Sequence, residues 1–545
     1  MMRLVVFLVA LVLAGCTSSD EVPLVSAGRT DDRPNIVVVM ADDHAFQAIS
    51  AYGSTLIDTP NIDRLAAEGV RFDRAFVGNS ICSPSRATLL TGKHSHANGL
   101  RNNLQEFNGS QQTLQSLLRQ GGYQTAVIGK WHLKSEPTGF DHWEVLPGQG
   151  EYYNPDFRTA GGIERRQGYV TRLVTDRALE WLSAERDRAK PFFLLYAHKA
   201  PHREWWPNPE HLAASKDRIF PEPPTLFDDY SGRGKPAREA EMRISDHMGL
   251  VHDNKIYPDN AEQLGYEPFE DWFLKNWDRQ WNGHMDAEQR AALDAIYGPI
   301  NEAFMTDPPE GDALTRWKFQ RFMQDYLATI KAIDDELGRL LDGLEAMGLE
   351  EDTLIIYTSD QGFYLGEHGW FDKRFMYEES FRTPLLMRWP GRITRGEARR
   401  AMVQNIDFAP TLLSVAGLTV PSDMHGKSLV PLFRDDDPAF RDALYYHYYE
   451  YPGIHAVKRH YGVRTDRYKL IRFYHDVETW ELYDLGRDPD ELVNVYGDPV
   501  YADVRAWMQE VLDATQASYG DSPELAQALL ASDLEQLSER RAASE

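Results

Sequence analysis

One short segment, Ile81-Cys82-Ser83-Pro84-Ser85-Arg86, places a thiol, a helix-start signal and a cation side by side. Ser at an N-cap and Pro at N1 open a helix, so Ser83-Pro84 predicts a helix start with Cys82 at its mouth. Backbone N–H groups and the helix dipole favour negative charge there. Arg86, about one turn on, can point back to the same place. The segment therefore reads as an oxyanion pocket with a nucleophile at its rim. At this level Cys82 remains a buried apolar filler, a free thiol or a reacting group. The chain holds only two cysteines, and the other lies in the N-terminal leader, so no disulfide forms within the folded part.

Other chemistry-bearing residues follow apolar runs. Asn35–Met40 precedes Asp42-Asp43, and Gln124–Ile128 precedes Lys130-Trp131-His132. Phe192–Ala197 precedes His198-Lys199-Ala200-Pro201-His202, and Thr353–Thr358 precedes Ser359-Asp360-Gln361. Continuous apolar runs of this length read as strands of a parallel sheet covered on both faces. Helical spacing over 63–68, 111–120, 169–185 and 322–347 supplies the covering layers. Alternating strands and helices give an α/β sandwich, whose site lies beyond the carboxyl ends of the strands. The acids, lysine and histidines stand at those ends.

The segment 203–317 is polar, rich in Pro, Asp and Trp, and aperiodic; it reads as an elaborated insertion at the edge of the site. Beyond 430 the pattern changes again. Residues 461–474 and 480–483 read as antiparallel strands, and 504–512 and 523–537 as closing helices. This predicts a large, mostly parallel central sheet within 34–430 and a smaller α+β subdomain over 431–545, with a solvated tail after Glu535.

Lys and Arg total 58 against 84 Asp and Glu, a net charge of −26. That excludes a general nucleic-acid binder and a polybasic membrane patch, but not a locally positive site for an anionic substrate. Met1-Met2-Arg3 and the apolar run 4–13 form a leader too short to span a bilayer. It ends in Leu13-Ala14-Gly15-Cys16, which resembles a bacterial lipobox. The resemblance implies cleavage, lipidation of Cys16 and a tether over 17–33. The expected location is an exported bacterial lipoprotein, periplasmic or facing outward, held to the membrane by its lipid alone.

Cys82-Ser83-Pro84-Ser85-Arg86, continuing to Thr91-Gly92, resembles the C-x-P-x-R signature of type I sulfatases, members of the alkaline-phosphatase-like superfamily. Residues 34–43, Gly129-Lys130-Trp131-His132, Ala200-Pro201-His202, Ser359-Asp360-Gln361-Gly362, Lys373 with Tyr377-Glu378-Glu379, and 480–489 match in order. The resemblance implies that a formylglycine-generating enzyme converts Cys82 to an aldehyde. Its hydrate would attack sulfur through one hydroxyl and expel sulfate through the other. It also implies one Ca2+ held by Asp42, Asp43, residue 82, Asp360 and Gln361, whose oxygen donors suit a hard cation. Arg86 and Lys130 would stabilise the diol and sulfate oxygens. His132 would be the base for sulfate release. His202 and Lys373 would hold sulfate, and one of them would protonate the leaving alcohol.

Segments 366–380 and 446–464 resemble bacterial carbohydrate sulfatases acting on glycosaminoglycan or algal polysaccharide, with one branch similar to N-acetylglucosamine-6-sulfatases. Arg374 and His460 are the expected sugar-binding residues. The competing readings are a phosphonate or phosphate monoester hydrolase of the same superfamily, and a non-catalytic lipoprotein that binds sulfated glycan.

Overall fold

The computed structural model describes residues 31–265 and 271–544. The lipobox with Cys16 lies outside them. Among the described residues no helix is long and apolar enough to cross a membrane.

Ten strands form the central sheet: β1 (Asn35–Ala41), β2 (Val70–Phe72), β3 (Gln124–Lys130), β4 (His142–Leu146), β5 (Asp156–Thr159), β6 (Gly162–Arg165), β7 (Phe192–Ala197), β8 (Thr353–Ser359), β9 (Leu385–Arg388) and β10 (Glu397–Arg399). Their order is β10-β2-β9-β8-β1-β7-β3-β4-β5-β6. The central five, β8-β1-β7-β3-β4, are all parallel. Antiparallel neighbours extend the sheet at both sides.

The main helices are α1 (Pro60–Glu68), α2 (Cys82–Thr91), α3 (Leu114–Gln120), α4 (Val170–Glu180), α5 (Ala287–Thr306), α6 (Gly311–Ala346), α7 (Phe408–Val415), α8 (Ala502–Ser518) and α9 (Pro523–Ser544). Strand β1 shows how the two faces are filled. Val37, Val39 and Ala41 join one core with residues of α4 and α6, such as Val174 and Leu337. Ile36, Val38 and Met40 join another with Leu89 and Leu90 of α2 and Leu412 of α7. A strand buried on both faces needs apolar side chains at every position, hence the unbroken run. Gly129 closes the β3–β7 pairing: a Cβ there would lie 1.9 Å from the Ala197 carbonyl oxygen.

Inside 203–317, Trp205 and Trp206 are fully buried and pack against Phe322 and Trp277 respectively. Neither offers a face to a sugar. The C-terminal sheet is four-stranded and antiparallel: β11 (Leu444–Tyr448), β12 (His460–Arg464), β13 (Tyr468–Phe473) and β14 (Thr479–Asp484). Met508 and Leu512 of α8 and Ala526 and Leu530 of α9 bury its outer apolar face.

Helix α9 runs on to Ser544, and residues 536–539 of the tail are mostly exposed on it. Its Asp533 receives Arg101 at 2.6 Å and Arg459 at 3.0 Å, and all three are buried. Breaking a buried charge pair leaves an uncompensated ion. Asp533→Ala is therefore expected to cost about 3 kcal/mol or more, read as a fall in the urea midpoint.

Candidate active site

The carboxyl ends of β1, β3, β7 and β8 converge on the start of α2. Helix α2 begins at Cys82 itself, with extended Ile81 as its N-cap and no capping side chain. This corrects the expectation of a Ser83 cap. The Ser83 hydroxyl instead donates to the His132 carbonyl at 2.6 Å, and the Ser83 amide donates to Asn103 Oδ1 at 3.0 Å. Cys82 still occupies the dipole-positive end of the helix.

Three carboxylates meet there: Asp42 and Asp43 after β1, and Asp360 after β8. One oxygen from each lies within 4.8 Å of the others. Cys82 Sγ is 3.4 Å from Asp42 Oδ1 and 3.7 Å from Gln361 Nε2. The Asp43 amide donates to Asp360 Oδ1 at 3.1 Å. Asp43 and His132 have positive φ, at 70° and 55°. Non-glycine residues in this region are costly and gather at functional sites. Gly362 permits the tight turn after Gln361, since a Cβ would lie 2.1 Å from the Glu379 carbonyl oxygen.

Each carboxylate has its own cation. Lys130 pairs with Asp42, Lys373 Nζ lies 2.6 Å from both oxygens of Asp43, and Arg86 reaches Asp360 Oδ2 at 2.9 and 3.0 Å. Arg86 also donates to the Lys130 carbonyl at 2.8 Å. Burial raises the Asp42 carboxyl pKa, but Lys130, His202, Arg86 and Lys373 together outweigh it and hold the group well below its ordinary value. Burial and the neighbouring Asp42 push Asp360 up to about 7. Burial, then Asp42, raises the Cys82 thiol, which stays protonated near neutral pH. Burial and Lys130 lower both His132 and His202, so both imidazoles are neutral. His202 Nε2 stands 3.7 Å from Asp43 Oδ2, and its Nδ1 contacts the Arg203 carbonyl.

The donors suit a hard cation. The oxygen-bearing set is Asp42, Asp43, Asp360 and Gln361, and the Gln361 Oε1 atom is buried without a hydrogen-bond partner. An orphaned carbonyl beside three carboxylates fits Ca2+.

Arg374 follows Lys373 with φ 101° and lies 3.2 Å from Asp372 and 3.3 Å from Glu450. His460 is a correction. It is fully buried, with Nε2 taking the Met376 amide at 3.1 Å and Nδ1 on the Lys458 carbonyl at 2.8 Å. Phe375, Tyr446, Tyr448 and Phe473 surround it. Burial lowers its pKa to about 3, and neither nitrogen is left for a sugar. Two residues escaped sequence reasoning: Gln149, which pairs with Lys130, and Asn103, which holds the amide next to Cys82. Gln149 sits in Pro147-Gly148-Gln149-Gly150 just after β4, the same strand-end signal that marked the others. Asn103 had no such signal.

The sulfatase family model matches residues 34–418, and the model for the C-terminal part of N-sulphoglucosamine sulphohydrolase matches 366–518. The chain belongs to the sulfatase family. It is 47% identical over 527 residues to the N-acetylglucosamine-6-O-sulfatase of Bacteroides thetaiotaomicron, covering 94% of this chain and 90% of that one. A solved structure in complex with its substrate D-glucosamine-2-N,6-O-disulfate superposes with a TM-score of 0.85. It covers 90% of this chain and 99% of its own, also at 47% identity. The human N-acetylglucosamine-6-sulfatase is 27% identical over 455 residues, 78% of this chain and 68% of that protein. This sulfatase is a carbohydrate sulfate ester hydrolase.

Proposed function

We propose that the enzyme removes the 6-O-sulfate from glucosamine residues of glycosaminoglycan fragments. The observation that carries this reading is the 47% identity, across nearly the whole chain, to an N-acetylglucosamine-6-O-sulfatase. The arrangement around Cys82 supports it. Asp42, Asp43, Asp360 and Gln361 would hold Ca2+ against residue 82. The ion would polarise sulfate oxygens, and an aldehyde hydrate at position 82 would supply the attacking hydroxyl.

The remaining side chains then have distinct tasks. Arg86 fixes Asp360 and, with Lys130, offers charge to the sulfate oxygens. His132 Nδ1 lies 3.4 Å from Ser83 Oγ, which leaves Nε2 to accept a proton. Lys373 neutralises Asp43 and holds sulfate. His202 reaches the site through Nε2; an anionic ester beside it raises its proton affinity, and it then protonates the departing alcohol. Arg374, buried next to Lys373 and paired with Asp372 and Glu450, is the sugar contact. Cys16 would carry the lipid that ties the exported enzyme to the membrane.

The test is sulfate release by protein co-produced with a formylglycine-generating enzyme. Substrates are N-acetylglucosamine-6-sulfate, sugars sulfated elsewhere, and the 6-phosphate. Release from the 6-sulfate alone is expected. Preference for the phosphate would replace this reading with the phosphatase, and preference for another sulfated position would correct the substrate.

A further inference from the structure

Lys199 is part of the active-site floor but has no task in the scheme above. In the sheet register, Ala197 of β7 stands opposite Met40 of β1 on one side and Gly129 of β3 on the other. Asp42, Lys130 and Lys199 therefore leave three adjacent strands at nearly the same height. The Asp42 amide donates to the Ala200 carbonyl at 3.1 Å, which ties the loop carrying Lys199 to the metal-binding acids. The Lys199 ammonium lies 4.7 Å over the Tyr152 ring, and the Tyr152 hydroxyl donates to the His202 carbonyl at 2.7 Å.

Its charge is the surplus one. Lys130, Lys373 and Arg86 each have a carboxylate partner. Lys199 is only 5% exposed, and its ammonium has no hydrogen bond or ion pair among the described residues. Glu204, Asp42 and Glu151 reach it only through space; Asp42 is paired with Lys130, and Glu151 with Arg279 at 3.2 Å. Burial and Lys130 lower its pKa to about 8, as expected for an ammonium without a counterion. Burying an unpaired ion is costly unless a ligand completes it.

We propose that Lys199 is a subsite for a second anionic group of the substrate, an N-sulfate on the same sugar or a carboxylate on its neighbour. This rests on the sulfated-sugar reading and deepens it.

The experiment compares the modified, full-length wild type with Lys199→Met and Lys199→Gln. The substrates are N-acetylglucosamine-6-sulfate, glucosamine-2-N,6-O-disulfate, and a disaccharide joining a uronate to N-acetylglucosamine-6-sulfate. The readout is the ratio of kcat/KM for a doubly charged substrate to that for the singly charged one. This ratio is expected to fall about tenfold or more in both variants, mainly through KM, and Lys199→Arg is expected to restore it. A fall confined to the disulfate assigns the N-sulfate; one confined to the disaccharide assigns the carboxylate. Unchanged ratios overturn the inference even if overall activity drops, because that loss would be structural. A wild type silent on all three substrates overturns the sugar reading and the subsite with it.

Discussion

Alanine in place of Cys82 is expected to abolish turnover, lowering kcat by about 10^4-fold or more. The side chain is fully buried at the start of α2, against Asp42 and Gln361, and it sits where no neighbour could replace it. Serine tests the chemistry more sharply. It retains one hydroxyl but lacks the second, so attack could occur without a route to release sulfate. Cys82→Ser is expected to be as inactive as alanine in steady state. Sulfate release measured beside mass spectrometry of the peptide carrying residue 82 checks both points. Wild-type activity should track the fraction of that peptide which has lost its sulfur. Activity in fully unmodified protein, or in the alanine variant within tenfold of wild type, would sink the assignment.

Asp360→Asn is expected to have the next largest effect, a fall in kcat/KM of about 10^3-fold. The change removes a carboxylate from the proposed ion site and takes from Arg86 its nearer charged partner, leaving only Asp42 at 3.7 Å. A second readout separates metal binding from catalysis. Calcium that binds only the folded chain stabilises it, by about 2.7 kcal/mol at a hundredfold excess over Kd. The wild-type Tm should therefore rise by a few degrees with calcium. The Asp360→Asn variant should show a much smaller rise. A wild type whose Tm ignores calcium, or a variant that still responds fully, would remove Asp360 from the ion site.

Much of this was legible in the sequence because strand and site share one signal. A strand buried on both faces must be apolar throughout, so the first polar residue after it stands out. That rule located Asp42, Asp43, Lys130, His202 and Asp360 together and gave the parallel core of the sheet. The strands that flank this core in antiparallel pairing, such as β2 and β9, are short and lacked that contrast. His460 failed for a different reason: a histidine enclosed by four aromatic rings resembles a surface ligand when only its type and neighbours in sequence are seen. Ser83 misled because capping residues are recognised by type, and its hydroxyl had a stronger claim from the His132 carbonyl. The hydrogen bond from Asn103 depends on a loop conformation with no local pattern to betray it.

The Arg101–Asp533 contact joins residues 432 positions apart in the chain. It also fixes when the enzyme can be finished. Arg101 belongs to the loop whose Asn103 holds the amide beside Cys82, while Asp533 is made 432 residues later. During synthesis the loop must wait for α9, since non-local contacts form only once both partners exist. Until then the loop beside Cys82 lacks the ion pair that joins it to α9. A chain stopped shortly before Asp533 could assemble the great sheet and its core, yet would never acquire that last fastening.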